Sequence, residues 1–346
     1  MPSLESLYHK TIYNGYKNSF VDLGHEFRPF TANDSLEKLL ETYQPNIFIT
    51  ASHFYYRKFI NFKLLDEHRK NGVFVLSKIN FWQSPISSLR INEAKSIKND
   101  VKVLNLLEDG MLGDAFFHVA EQGDERMHGF SEFTGCTWHT IPLAADKISL
   151  DMQKDEKFSA DISYVGSYLP EKRSFFKKHV FPLEREFNLR LYGQDWTRAD
   201  RLAGWIQRAG QYFNINPLAK IRKPKLDLAD EGKIYASSKV SINVHEEYQI
   251  RYGGDCNERT FKIPFCGGLQ VVDNVSCIKK YFDPGTEVVI ANNSEEWVDA
   301  VRYYVSHPEE GFRIIEAGRV RALRDHTYHN RVAQILDIYN ESKRKF

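Results

Sequence analysis

The chain has 346 residues, which is too long for one small hydrophobic core and predicts two domains. Its 47 basic and 46 acidic residues leave a formal net charge of +1. Because so small an excess creates no strong field, general binding to nucleic acid or to an anionic membrane is not favoured.

Cysteine usage and hydropathy predict a soluble protein of the cytoplasm. The cysteines show no CxxC pair and no zinc-type spacing with histidine, which is typical of a reduced compartment and predicts no metal site. No leader-like segment opens the chain, and no apolar run reaches the roughly 18 residues needed to span a bilayer. The four cysteines are Cys136, Cys256, Cys266 and Cys277.

In the first half, short apolar runs alternate with helical patterns, which predicts a parallel sheet covered by helices on both faces. The chain opens on a helix rather than a strand, so a first strand is absent, supplied elsewhere or lost. The predicted strands span residues 46–52, 73–79, 101–107, 115–120 and 138–143, and the predicted helices residues 3–22, 36–43, 55–70 and 86–97.

A polar run, residues 148–161, is expected to link this half to a second α/β unit. Asn293 and Glu296 have the spacing of a capping box for a helix that ends near residue 305. The final helix, from Thr327, has one apolar stripe. The predicted strands of this unit span residues 161–165, 189–192, 239–244, 269–272 and 288–290, and a helix is predicted from 173 to about 187.

The segment Gly253–Asp273 carries the strongest functional signal. It predicts a loop, a short helix capped by Asn257 or Asp255, and a Gly-Gly turn before a buried strand. Unpaired N–H groups at the helix start, together with Arg259 in its first turn, form a site suited to a phosphate group. The alternative is an ordinary βαβ connection whose charges face water.

Other candidate residues also follow predicted strands, where ligands bind in open parallel sheets. They are Gly166 and Ser167 after one strand, Tyr192 and Gly193 at the end of another, and His245 with Glu246 after a third. The fingerprints GxGxxG, GxxxxGK[ST], GxSxG and HExxH are all missing, which argues against dinucleotide, P-loop, nucleophile-elbow and zinc-protease sites. The basic run at residues 220–225 is either a solvated face or a wall for an acidic ligand.

Three segments resemble a known family. NERTFKIPFCGGLQVVD, YFDPGTEVVIANNSEEWVDAV and RALRDHTYHNRVAQIL are similar to the C-terminal domain of group 1 glycosyltransferases, closest to the spore-maturation-protein (CgeB-like) branch. The resemblance covers roughly residues 140–340. It implies the GT-B architecture, in which two Rossmann-like domains with parallel sheets face a cleft, with domains at 1–150 and 151–325. It also implies that residues 326–346 form a helix that packs back on the first domain.

The resemblance further implies an enzyme that transfers a hexose from a nucleotide-diphosphate sugar, with no tightly bound cofactor. Arg259 would stabilise the charge on the leaving nucleoside diphosphate. The expected donor-binding residues are Gly166, Ser167, Arg173, Tyr192, Gly193, His245, Asn257, Glu258, Arg259, Thr260 and Phe261.

The chain departs from the family at one position. Where many of these enzymes have a carboxylate that binds the ribose hydroxyls, this chain has Lys262. Glu258, one helical turn earlier, is a possible substitute, although its side chain would point elsewhere.

An inverting enzyme would also need a base from the first domain, whereas a retaining one would not. His53 follows the strand at 46–52 and is the first candidate. Glu108 with Asp109, expected after the strand at 101–107, and His118 are further candidates.

Several other functions fit the same pattern. An epimerase or hydrolase of nucleotide sugars would use the same architecture, and a non-catalytic nucleotide- or glycan-binding protein is consistent with Lys262. The acceptor of a transferase could be a glycan, a protein or a small molecule. Modified DNA is a minority option, supported only by the basic residues between 198 and 225.

Overall fold

The computed structural model describes residues 7–31, 33–83, 96–213, 215–222 and 225–344. Within these ranges the strands form two parallel sheets, one of four strands in the order β1-β2-β3-β4 and one of five in the order β6-β5-β7-β8-β9. The strands are β1 Ile47–Ala51, β2 Phe74–Lys78, β3 Ala115–His118, β4 His139–Thr140, β5 Ala160–Val165, β6 Leu189–Tyr192, β7 Ser238–Asn243, β8 Gln270–Asp273 and β9 Val289–Ala291.

Helices connect the strands and cover both sheets. They are α1 Leu7–Asp22, α2 Leu36–Tyr43, α3 Phe54–Arg57, α4 Phe62–Lys70, α5 Val101–Glu108, α6 Phe130–Thr134, α7 Arg173–Phe175, α8 Arg198–Tyr212, α9 Asn216–Ala219, α10 Leu228–Ser237, α11 Glu247–Tyr252, α12 Arg259–Phe265, α13 Ile278–Tyr281, α14 Ser294–Ser306, α15 Pro308–Asp325 and α16 Tyr328–Lys343.

The apolar runs form the predicted parallel strands because both sheet faces are covered. Val75 and Leu76 in β2, and Ile162 and Val271 in β5 and β8, are fully buried. Strands buried on both faces need apolar side chains at successive positions, which is the pattern that the sequence shows. The predicted strands of both sheets are therefore confirmed, except for residues 101–107; the one predicted at 138–143 shrinks to β4.

The final helix, α16, packs against the first sheet although it follows the second in the chain. Val332 and Ile335 are buried in one cluster with Phe74 and Leu76 of β2. Arg331 donates from Nε to the carbonyl of Pro142 over 3.0 Å. The predicted return of the last helix to the first sheet is confirmed.

Residues 101–107, predicted as a strand, lie in helix α5. The side chain of Val103 is buried, whereas that of Val101 is 67% exposed. One buried residue with partly buried Leu106 and Leu107 on the same side is a helical pattern, not the continuous burial of a parallel strand. A short apolar run does not distinguish these two structures.

Two predicted helices are interrupted. The helix expected at 55–70 is divided into α3 and α4, and Asn61 caps the second by accepting from Leu64 N. The helix expected at 173–187 continues beyond α7 as π and 3₁₀ turns, because Pro182 has no N–H to donate. The helix predicted at 86–97 lies outside the described residues up to 95; residues Ile97–Asn99 form a 3₁₀ turn.

A buried ion pair joins the two sheet units. Arg126, 2% exposed, contacts Asp124 at 2.6 Å and also pairs with Asp255, which lies just before α12. Gln249 donates to the second oxygen of Asp255 at 3.0 Å. The backbone adds a further link, since Glu121 N donates to Gly254 O at 2.7 Å.

Candidate active site

Two glycines bring the loops after β5 and β6 into contact at the carboxyl end of the second sheet. Gly193 has φ +119°, and a Cβ there would lie 2.4 Å from the Gly166 carbonyl oxygen. Gly166 donates its N–H to Tyr192 O over 2.9 Å. A Cβ on Gly166 would lie 2.8 Å from Nη1 of Arg259. Glycine at both positions therefore lets the backbone approach the arginine closely.

The guanidinium of Arg259 joins the carboxyl ends of β5 and β7. It donates to Val165 O over 3.1 Å, to Val244 O over 3.3 Å and to the side-chain oxygen of Asn243 over 3.1 Å. A guanidinium has five N–H groups, so two remain for a ligand. Arg259 is thus a fixed cation at the edge where open α/β sheets bind ligands.

The start of α12 differs from the predicted cap. Glu258 occupies the N-cap position and makes no side-chain capping bond. Asn257 instead donates to the Asn243 side chain over 2.8 Å, and Asp255 is used by Arg126 and Gln249. The two predicted capping residues therefore position the loop through contacts with neighbouring elements.

The side chains of Thr260, Phe261 and His245, all predicted to bind the donor, lie in the interior. Thr260 and Phe261 are fully buried, and His245 is 2% exposed. Phe261 packs 5.2 Å from the ring of Tyr281, and Thr260 Oγ1 lies 3.3 Å from His245 Nε2. These side chains support the loop before α12 by packing in the interior of the second unit.

Burial lowers the pKa of His245, while the carboxylate of Asp273 opposes this shift. The His245 backbone N–H also donates to that carboxylate. His245 is therefore a neutral imidazole at neutral pH and supplies no positive charge to a bound phosphate.

Lys262 is buried between two carboxylates. Its Nζ lies 2.7 Å from Glu231 Oε1 and 3.0 Å from Glu258 Oε2. One further oxygen of each carboxylate, Glu231 Oε2 and Glu258 Oε1, is buried without a hydrogen-bond partner among the described residues. The lysine at the position of the family's ribose-binding carboxylate is thus part of an interior ion cluster, and Glu258 belongs to the same cluster.

Lys172 is the functional candidate that the sequence did not single out. It is 3% exposed, with Nζ 3.5 Å from the Tyr164 hydroxyl and 3.7 Å from Glu246 Oε1. Arg259 lies 5.0 Å from the Tyr164 ring, so both cations approach the same tyrosine. Its only sequence signal is its place in the charged triplet Glu171-Lys172-Arg173, in which the resemblance points to Arg173.

The other predicted donor-binding residues lie at the same sheet edge, but their side chains point in different directions. The guanidinium of Arg173 lies 5.4 Å from the Tyr168 ring. The ring of Tyr192 packs 6.2 Å from Phe158 in the interior. Ser167 is half-buried in the loop beside Gly166.

Three basic side chains occupy the carboxyl end of the first sheet: His53 after β1, Lys78 at the end of β2 and His118 at the end of β3. Burial lowers the pKa of His53, and the charges of Lys78 and Arg57 lower it further. Burial also lowers the pKa of Lys78, while Asp255 of the second unit acts in the opposite direction. His53 is therefore neutral at neutral pH, as a base must be.

His118 is less suited to act as a base. Its Nδ1 accepts the N–H of Ala120 over 2.9 Å, so its proton resides on Nε2. Burial, with the nearby charges of Lys78 and Arg126, holds its pKa well below the ordinary value. His118 can donate a hydrogen bond to a ligand, but its accepting nitrogen is already occupied.

Glu108 and Asp109 do not follow a strand. Both are exposed at the carboxyl end of helix α5, because the strand predicted at 101–107 is helical. They therefore lack the position at a sheet edge on which their candidacy as bases depended.

The carboxyl ends of the two sheets together present cations and neutral polar groups. Arg259 and Lys172 can bind phosphate oxygens, and Asn243 and Asn257 fix the loop that holds the arginine. Within the described ranges, no group of three or more His, Cys, Asp and Glu side chains is arranged to hold a metal ion. No helix of these ranges is long and apolar enough to cross a membrane.

Comparisons with known proteins agree with this geometry. A family model described as glycosyl transferase-like matches residues 173–337. No curated protein matches the sequence significantly.

Solved structures share the fold at low sequence identity. A sucrose-phosphate synthase from Thermosynechococcus elongatus aligns with a TM-score of 0.55 and 12% identity over 90% of this chain and 77% of its own. An α-glucosyltransferase in complex with UDP-glucose and DNA containing an abasic site aligns with a TM-score of 0.57 and 14% identity over 97% of each chain. Alr3699/HepE of Anabaena in complex with UDP aligns with a TM-score of 0.53 and 10% identity over 88% of this chain and 81% of its own.

The matched domain and the two parallel sheets define the class of protein. The architecture is that of the GT-B glycosyltransferases, and residues 173–337 are similar to a glycosyl transferase-like family. The match over residues 173–337 supports glycosyl transfer as the function of this chain, with an acceptor that these matches do not identify.

Proposed function

We propose that the protein transfers a hexose from a nucleotide-diphosphate sugar to an acceptor, as a member of the CgeB-like branch of group 1 glycosyltransferases acting in the cytoplasm. Residues 1–150 would carry the acceptor side, residues 151–325 the donor side, and residues 326–346 the returning helix. The observation that carries the proposal is the Arg259 guanidinium, held beside Gly166, with buried Lys172 approaching the same tyrosine, Tyr164.

The chemical step follows from these positions. The bond between the sugar C1 and the diphosphate oxygen breaks, and its electron pair goes to the leaving nucleoside diphosphate. Arg259 and Lys172 stabilise this negative charge, and their fixed positions mean that little reorganisation is needed during the reaction. The acceptor oxygen forms the new bond to C1 and loses its proton, which His53 would take in an inverting reaction.

Donor binding would use mainly the loops at the second sheet edge. The backbone of Gly166 lies against Arg259, and that of Gly193 lies against Gly166. Ser167 directly follows Gly166, and Arg173 follows the same loop. Asn257, Thr260, Phe261, Tyr192 and His245 support these loops through the contacts described above. Glu258 is paired with Lys262, so it is not a free carboxylate that could bind the ribose hydroxyls.

A thermal-shift screen tests the donor class. We would heat the protein with UDP, GDP, dTDP, CDP or ADP, with and without Mg²⁺. One nucleotide at about 100 times its dissociation constant should add roughly 2.7 kcal/mol to the free energy of unfolding and raise the melting temperature by a few degrees. No shift with any of them would argue against the donor site and favour another ligand.

Product analysis then separates transfer from the alternatives. With the donor sugar identified, a transferase yields a glycosylated acceptor, a hydrolase yields free sugar, and an epimerase yields a changed nucleotide sugar. Binding without any product would favour a non-catalytic binding protein.

DNA is one acceptor to include in this assay. Two solved structures that cover almost the whole of both chains are α-glucosyltransferases in complex with DNA. Transfer of labelled sugar to duplex DNA bearing hydroxylated bases, compared with unmodified duplex, would identify this acceptor; glycans, proteins and small molecules are tested in parallel.

A further inference from the structure

Helix α8 presents an exposed face of aromatic and aliphatic side chains. Leu202, Trp205 and Tyr212 are 63%, 70% and 80% exposed, and Phe213 directly after the helix is 67% exposed. Their spacing places the three helical residues on one side of α8. A monomer seldom leaves so many large apolar side chains together in water, so the patch indicates a contact surface.

The helix that carries this face is firmly held. On its inner side a Cβ at Gly210 would lie 2.5 Å from Ala219 N, so α8 and α9 are in close contact. Before the helix, Trp196 stacks on Tyr168 at 5.0 Å and donates to Gly166 O over 3.1 Å. The exposed face is therefore rigidly attached beside the candidate donor site.

The same region carries a local excess of positive charge. Its carboxylates are already paired, since Arg222 contacts Asp195 at 2.8 Å and Asp200 at 3.2 Å. Arg198, Arg208 and Lys220 are exposed, and no acidic side chain of the described residues pairs with them. Between residues 196 and 226 the basic residues are Arg198, Arg201, Arg208, Lys220, Arg222, Lys223 and Lys225, and the only acidic one is Asp200.

We propose that this surface, Arg198, Leu202, Trp205, Arg208, Tyr212 and Phe213, docks the protein on an anionic lipid bilayer. Interfacial membrane-binding helices carry exposed Trp, Phe and Leu on one side with basic residues beside them, and this surface has the same arrangement. The charge is the complement of an anionic headgroup layer. The net charge of the whole chain conceals this local excess, which is why composition argued against it.

Two other occupants fit the surface less well. A second copy meeting the same face would bring two sets of unpaired arginines together. Nucleic acid would use the arginines and stack on the aromatic rings, but it offers no partner for Leu202 or for exposed Ile215. The bilayer accommodates all of these groups. The proposal does not depend on the chemistry of the cleft.

Vesicle binding of the full chain tests the proposal. We would cosediment the protein with phosphatidylglycerol-containing vesicles and with pure phosphatidylcholine vesicles, at low and at high salt. We expect binding to the anionic vesicles that weakens as salt rises, and at least about tenfold weaker partitioning of Trp205→Ala/Tyr212→Ala. Because both side chains are exposed, this variant should keep its melting temperature.

Tryptophan emission gives a second readout. Trp82, Trp138 and Trp297 are buried and Trp196 is half-buried, which leaves Trp205 as the exposed indole. Adding anionic vesicles should shift the emission to shorter wavelength in the natural protein and in Phe312→Ala, a matched exposed aromatic on α15. Trp205→Phe should lose the shift but retain binding, since phenylalanine keeps the apolar contact.

Three outcomes would overturn the proposal: no sedimentation with anionic vesicles; equal sedimentation of the double variant; or binding that Phe312→Ala also loses. Binding of a 20-mer oligonucleotide, lost in the double variant and without vesicle binding, would assign the surface to nucleic acid. Concentration-dependent self-association that is lost in the double variant, without vesicle binding, would assign the surface to a second copy.

Discussion

Arg259 combines a structural and a chemical role in one side chain. Its guanidinium holds the carboxyl ends of β5 and β7 together and leaves two N–H groups, which bind the donor phosphates in the proposed reaction. Replacing it by alanine removes a charge aimed at the leaving group. We therefore expect Arg259→Ala to lower kcat by roughly 10²–10³-fold, with a much smaller loss of nucleotide affinity. Steady-state kinetics and nucleotide titration measure the two effects separately.

Two variants control for loss of folding. Arg259→Lys keeps the charge but cannot make the same set of hydrogen bonds, so it should recover part of the activity. Arg302→Ala removes an exposed arginine that pairs with Glu186 outside the site and should leave kcat unchanged. Equal kcat for the natural protein and Arg259→Ala would contradict the role given to this residue.

Lys262 holds two buried carboxylates in place. Lys262→Met leaves Glu231 and Glu258 uncompensated in the interior, which should cost about 3–5 kcal/mol in the free energy of unfolding. Burial raises the pKa of Glu258 above its ordinary value. Lys262 opposes this shift, so its removal should raise the pKa of Glu258 further. Because a raised folded-state pKa adds stability as the carboxyl takes up a proton, the loss should shrink as the pH falls.

Urea denaturation of Lys262→Met at several pH values measures this loss, and Lys279→Met, a lysine of α13, serves as the control. A loss independent of pH would show that the carboxylates do not carry the effect.

The sequence predicts the placement of the backbone and the arginine of the candidate site better than that of the other residues. Gly166, Gly193 and Arg259 were predictable because each follows a strand and belongs to a residue type with a specific use there. Lys172 was not, because nothing in the triplet Glu171-Lys172-Arg173 shows which side chain turns inward. The inward positions of Thr260 and Phe261 likewise depend on packing between α12 and its neighbours.

At the scale of elements, helix α16 stabilises a sheet that lies far from it in sequence. Ile335 is fully buried against residues of the first sheet. Ile335→Ala should therefore cost about 2–4 kcal/mol in the free energy of unfolding, through lost apolar burial and a cavity. Val320→Ala, at a 51% exposed position of α15, should cost less than about 0.5 kcal/mol. Chemical denaturation of both variants makes the comparison, and equal losses would contradict the packing of α16.

The strands were predictable where burial on both faces forces a continuous apolar run, as in β2 and β8. The error at 101–107 shows the limit of this rule, since Val101 is exposed and only tertiary packing decides the outcome. The division between α3 and α4 likewise depends on Asn61, a cap inside a continuous helical pattern.

At the scale of the whole molecule, acid should destabilise the fold through buried histidines near the junction of the two units. Burial lowers the pKa of His326 to about 4, although its hydrogen bond to Tyr281 O opposes this shift. A lowered pKa contributes stability that is present above the unfolded value and is lost as pH falls from about 6.5 to about 4. The contribution amounts to about 3 kcal/mol.

Unfolding by urea between pH 7.5 and 4.5 measures this dependence. His326→Gln should reduce the slope of the free energy of unfolding against pH by about one proton, since the amide does not titrate but can still donate to Tyr281 O. His307→Gln, at an exposed histidine, should leave it unchanged. The same slope in His326→Gln would assign the acid sensitivity to other groups.

The buried pair of Arg126 and Asp255 has a kinetic consequence. Parting the two units at this point would break the contact of Arg126 with Asp255 and the hydrogen bond from Glu121 N to Gly254 O, so opening has a cost in free energy, although Asp124 and Gln249 remain as partners within each unit. In the proposed reaction, substrates would enter and the spent nucleotide would leave through that opened form. We therefore expect the breaking of this contact, and the product release that follows it, to limit the rate of turnover.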